Sequence, residues 1–161
     1  MRNLPSKRIY QQTPFVLTDS TFSGLGKTGA AHLLTAQDAS YADLKRSLIG
    51  MINFGAFGMP NVGAHMCNFA TNITDEELCA RYFQLSIVSP LAFYSDRQKD
   101  LKHHPFNFKE EARKSILISM ITRMEYLMYM RSKLRHIELF GGSLLRPLFA
   151  VFDSTKLSDD I

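Results

Sequence analysis

The stretch PFVLTDSTFSGLGKTGAAH, from Pro14 to His32, decides the reading of this chain. Phe15, Val16 and Leu17 form a short apolar run rich in β-formers, which predicts a strand. The run gives way to Thr18, Asp19, Ser20 and Thr21, then to Gly24, Gly26 and Gly29. Glycines let the backbone take turns closed to other residues. A strand that opens into a polar, glycine-rich loop is where α/β proteins place chemistry.

Outward from this stretch, strands and helices alternate. Residues 37–54 predict a helix, with Ala39, Leu44, Leu48 and Ile52 at near-helical spacing and Gly55 and Gly58-Met59-Pro60 as its stop. Asn61 to Ala64 predicts a short strand. Thr74 is the expected N-cap of the next helix, with Glu77 at the capping-box position, and Leu78, Tyr82, Phe83 and Leu85 follow. An extended piece is expected from Ile87 to Phe93 and a polar loop over 95–108. Lys109 to Phe140 is the longest helix. Its Ile116, Met120, Ile121, Met124, Leu127, Met128, Met130 and Leu134 read as a core face. Gly141-Gly142 ends it, and Leu145 to Phe152 predicts a last strand. Strand–helix alternation of this kind implies parallel α/β units.

Composition narrows the function classes. The 161 residues fit a single domain, and 45% apolar content supports a core. Nineteen basic and 15 acidic residues leave a net charge of only +4, with no dense basic stripe, so nucleic-acid binding is not expected. No apolar run reaches the roughly 18 residues that span a bilayer. The basic start with Arg2, Lys7 and Arg8 lacks an apolar core and is not a secretory signal; it reads as a solvated arm, and it is compatible with a mitochondrial address. Two cysteines, Cys67 and Cys79, are too few for a disulfide scaffold or a structural zinc site. Asn72-Ile73-Thr74 is a glycosylation sequon, of consequence only in the secretory pathway. Gly26-Lys27-Thr28 suggests a phosphate loop, but the glycine required five residues earlier is Thr21. His32 and His65 without a carboxylate or cysteine cluster read as structural histidines, and no metal or cofactor is expected.

The wording of the opening stretch resembles the late barrel region of glycoside hydrolase family 31, the α-glucosidases and α-xylosidases, which reads approximately PFVLTRSTFAGSGKYAAHWLGDN there. The likeness continues through FGMPNVGAHMCNF (57–69), EELCARYFQL (76–85) and LLRPLFAVFD (144–153), over about nine-tenths of the chain. A closed barrel takes about 250 residues. The resemblance therefore implies a partial (β/α) barrel: about the last three strand–helix units over 14–140, after a basic arm over 1–13, with one strand of a following β-domain and a tail over 141–161. In secreted relatives the pair matching Cys67 and Cys79 is bridged, so the resemblance makes a disulfide plausible here; in a reducing compartment both would be small buried apolar groups.

A retaining glycosidase needs two carboxyl groups, a nucleophile and an acid/base. By the resemblance, the nucleophile lies on an earlier strand that is absent here, and the acid/base of HWLGDN falls on Ala36. The family arginine of LTRST falls on Asp19, the tryptophan after the histidine on Leu33, the aspartate of GADICGF on His65, and the arginine and histidine of RNH on Phe93 and Ser95; the aromatic Phe69 is kept. Asp38, two residues past Ala36, reads as a solvated loop residue. The expectation is thus no catalytic residue and no sugar binding: a non-enzymatic, structural or accessory subunit whose open barrel edges other protein subunits cover, within an intracellular complex or, by family analogy, in the endoplasmic reticulum or lysosome. The alternative is an α-glucosidase-type hydrolase whose nucleophile comes from a second chain.

Overall fold

In the computed structural model the described residues are 15–35, 40–67, 75–94 and 104–152. Four strands, β1 (Leu17–Thr18), β2 (Ala31–Leu34), β3 (Val62–His65) and β4 (Leu91–Phe93), lie side by side in chain order, and each pair is parallel. Three helices follow in alternation: α1 (Tyr41–Ala56), α2 (Glu76–Ser86) and α3 (Glu110–Phe140). A parallel sheet needs crossovers between its strands, and the helices provide them from β2 onward. The connection from β1 to β2 is shorter. It carries only a 3-10 turn over Leu25–Thr28, bracketed by Gly24 and Gly29 at φ of 90° and 75°.

The first strand covers Leu17–Thr18 rather than 15–17, and β2 occupies residues expected to be loop. Its short apolar AHLL stands just after the glycines, and what makes it a strand is pairing on both sides, to Leu17 and Thr18 and to Val62 through Ala64. The central strand β3 is buried throughout. Its Gly63 is required by crowding: a Cβ there would lie 1.7 Å from the Leu91 carbonyl oxygen.

Helix α1 begins at Ser40, whose side chain accepts a hydrogen bond from the Asp43 amide at 3.2 Å. The face it buries is not the expected leucine row. Asp43, Ser47, Met51 and Gly55 are buried, whereas Leu48 is exposed and Leu44 and Ile52 are half-buried. Small side chains let the helix seat closely against its neighbours. Gly55, expected to end the helix, lies inside it, because a Cβ there would meet Ser143 Oγ at 2.2 Å and the Leu145 carbonyl at 2.7 Å. Asp43 is compensated by Arg46 at 2.8 Å.

Helix α2 is capped by Asp75, not Thr74. The Asp75 carboxylate accepts from the amides of Glu77 and Leu78 at 3.0 and 3.1 Å, one residue later in register than a threonine cap would allow. Glu77 instead pairs with Arg81 one turn on, at 3.2 Å. Tyr82, Leu78 and Cys79 of α2 are the heart of the core, with Met66, Phe83, Phe108 and Ile116 around them. The piece before β4 is not extended: Ile87, Val88 and Ser89 continue the end of α2 as turns.

Helix α3 packs on α2, not on the strands. It buries Ile116, Ser119 and Met130, and Arg123 reaches back so that its guanidinium donates to the carbonyls of Ser86 and Ser89 at the end of α2. The expected Met-rich core face is mostly uncovered. Met124 and Met128 are 69% and 72% exposed, and Met120, Ile121 and Leu127 are exposed too. The helix presents more apolar faces than its described neighbours cover. The strand expected over 145–152 is a 3-10 turn at Leu148–Ala150. Pro147 has no amide to donate, and no strand lies beside these residues to pair with them among the described ones.

Candidate functional site

In a parallel α/β sheet the loops at the strand C-termini carry the chemistry. Here the C-terminal ends of all four strands converge on one cleft of about 430 Å³, lined by Leu17, Thr18, Asp19, Leu33, Thr35, His65 and Phe93. Period-two alternation explains the set. Leu17 and Asp19, Leu33 and Thr35, and the strand-end residues His65 and Phe93 share one face of the sheet. The register puts Leu33 beside Gly63 and His65 beside Phe93.

Four positions singled out from the sequence, Asp19, Leu33, His65 and Phe93, therefore meet in one place. Ala36, Phe69 and Ser95, together with Asp38, lie outside the described residues. Leu17, Thr18 and Thr35 were not singled out. The signal for Leu17 and Thr35 was the alternation itself, two residues from Asp19 and from Leu33 respectively.

His65 and Phe93 form one wall, the rings edge to face with centroids 5.1 Å apart. Thr35 brings a hydroxyl group, whereas Thr18, in register with His32, turns its hydroxyl to the Ala31 carbonyl at 3.4 Å. Asp19 is exposed in the cleft, and no lysine or arginine lines it among the described residues. His32 faces the other way. Its ring stacks on Phe54 of α1 at 4.2 Å and is only 5% exposed, with Nδ1 lacking a hydrogen-bond partner. Burial lowers its pKa, opposed in part by the Asp19 charge and a hydrogen bond to the Thr18 backbone. His32 and His65 thus point to different sides of the sheet, and no group of three or more metal-ligating side chains occurs among the described residues.

Behind the cleft, Cys67 and Cys79 form a disulfide, Cα atoms 4.8 Å apart, that ties the end of β3 to α2. Cys67 sits in a turn at φ 59°, so the chain leaves β3 sharply. Gly26-Lys27-Thr28 lies in the 3-10 turn, where the Thr28 hydroxyl donates to the Leu25 carbonyl at 2.7 Å. No helix among the described residues is long and apolar enough to cross a membrane.

Residues 2–133 match the model of the glycosyl hydrolases family 31 TIM-barrel domain. The chain belongs to glycoside hydrolase family 31. It is 34% identical over 158 residues to intestinal sucrase-isomaltase of Rattus norvegicus, covering 96% of this chain and 8% of that one. It is 32% identical over 139 residues to lysosomal alpha-glucosidase of Mus musculus, covering 86% of this chain and 14% of that one. Among solved structures it is similar to a glucosidase II alpha subunit, with a TM-score of 0.75 and 26% identity, over 84% of this chain and 14% of that one. The cycloalternan-degrading enzyme from Trueperella pyogenes shares the fold, with a TM-score of 0.78 at 21% identity, over 89% of this chain and 21% of that one. The chain thus spans a small part of the length of its relatives, and its four parallel strands are a partial family 31 barrel. These relatives also overturn one expectation. The replaced positions suggested a protein that is no enzyme; the family 31 relatives, named as glucosidases, point to a glycoside hydrolase.

Proposed function

We propose that this chain forms part of an α-glucosidase-type site that hydrolyses O-glycosyl bonds, with the nucleophilic carboxylate supplied by polypeptide beyond these residues. One observation carries the reading: the strand ends of a family 31 barrel meet in a cleft with a carboxylate, a hydroxyl and an aromatic wall. A sugar offers hydroxyls to the polar groups and C–H faces to Phe93. The proton for the leaving group must come from a carboxyl group, and Ala36 has none to give. We assign that role to Asp38, the nearest carboxyl-bearing residue in the sequence, two positions on. The second polypeptide also covers the apolar surface of α3.

The compartment follows from the same family. The relatives include a lysosomal enzyme, and the Cys67–Cys79 bridge fits an oxidising lumen, so the chain works in the secretory pathway. A second reading, an accessory subunit within a larger glycosidase complex, is favoured by the exposed Met124 and Met128 surface.

The test is release of the leaving group from an activated aryl α-glucoside by the natively purified chain with whatever co-purifies. A saturable rate that Asp38→Ala abolishes for poor leaving groups, while sparing good ones, is expected. Absence of any saturable rate from the intact assembly would sink the hydrolase reading. Retention of full activity by Asp38→Ala would remove Asp38 from its role.

A further inference from the structure

We propose that Asp19 makes the cleft selective for glycosides bearing a protonated amino group over their neutral counterparts. The inference rests on the glycoside-binding reading above and adds a substrate class to it. A carboxylate accepts hydrogen bonds only, so Asp19 favours N–H and O–H donors and, among them, a charged one. Among the described residues nothing in the cleft compensates that charge. The other described residues lining the cleft are Leu17, Thr18, Leu33, Thr35, His65 and Phe93, with no ammonium or guanidinium among them. Behind the sheet, burial keeps the His32 imidazole neutral at pH 7, so it does not cancel the carboxylate.

The rest of the wall agrees. The Phe93 ring meets His65 edge to face and belongs to the same cleft surface. Aromatic faces attract ammonium groups as well as the C–H faces of sugars. The Thr35 hydroxyl can take a further sugar hydroxyl. Both kinds of sugar can therefore use the carboxylate and the aromatic ring, but only an amino sugar adds a charge that each of them attracts.

The experiment compares methyl α-glucosaminide, held below the pKa of its amine, with methyl α-glucoside on the full chain by ligand-observed NMR titration. Because Asp19 is exposed, the expected preference is modest, roughly two- to fivefold in Kd at low ionic strength. It should shrink as salt screens the pair. Asp19→Asn, which keeps the shape, should bind both sugars alike. Equal binding of both sugars to the unaltered chain, or a preference that survives in Asp19→Asn, would overturn the inference while leaving the glycoside reading intact. Failure of either sugar to bind would count against the glycoside reading, and the inference would fall with it.

Discussion

The sheet with its α2 backing and the outer half of α3 are built from similar residues and end in opposite states. Tyr82, Leu78, Met51 and Val62 are almost completely buried. Met120, Met124, Leu127 and Met128, no less apolar, are exposed. The sheet, α1 and α2 cover one another, with Cys67–Cys79 tying β3 to α2. Helix α3, 31 residues and about 46 Å long, buries only Ile116, Ser119 and Met130 and leaves most of its apolar side chains uncovered. Hydrophobicity supplies a drive toward burial; a neighbouring surface of matching shape decides whether burial happens.

The contrast can be broken at its strong end first. Leu78→Ala removes a side chain at the centre of the core, and a loss of about 2–5 kcal/mol is expected from denaturant unfolding. A loss under about 1 kcal/mol would mean that α2 is not the heart of the fold. Reducing the Cys67–Cys79 bridge, which closes a short loop of sequence separation 12, should cost about 3 kcal/mol, read as the difference between melts with and without reductant. Gly63→Ala puts a Cβ against the Leu91 carbonyl and should cost about 1–3 kcal/mol or more, because backbone rather than a side-chain tip must give way.

At the weak end the same kind of substitution separates the regions. Met128→Ala should change the stability of the chain alone by no more than about 0.5 kcal/mol. In the assembled protein it should cost several times more if another polypeptide seats on α3. Equal, small effects in both settings would remove the covering partner from the picture. The smallest effect is a pH slope. His32 has a lowered pKa in the folded state, so the unfolded chain binds its proton more readily. Stability then falls as pH drops below about 6.5, the unfolded value. His32→Phe keeps the ring stacked on Phe54 and should flatten that slope in thermal melts followed across it.

How much was legible in the sequence varies with the physics involved. Alternating strands and helices, parallel pairing and the long final helix follow from local periodicity, and the ordered family motifs carry the barrel. Asp19, Leu33, His65 and Phe93, which the family resemblance marked as replaced substrate contacts, stand where a parallel sheet brings its loops together. Leu17, Thr18 and Thr35 complete the cleft only because neighbouring strands lie in register, a non-local property.

What the amino-acid sequence determined by itself was therefore the family and the α/β order; that Cys67 and Cys79 are bridged was left open until the structure showed it. Tertiary structure alone decided which face of each helix is buried and where elements end. Helix α1 buries Asp43, Ser47, Met51 and Gly55 rather than its leucine row because that is the side its neighbours cover, with Gly55 seated against Ser143 and Leu145. Residues 145–152 form no strand although their composition suits one, because backbone amides and carbonyls make a ladder only with a partner strand. The α3 methionines stay exposed because periodicity describes one helix, whereas burial is a relation between two surfaces.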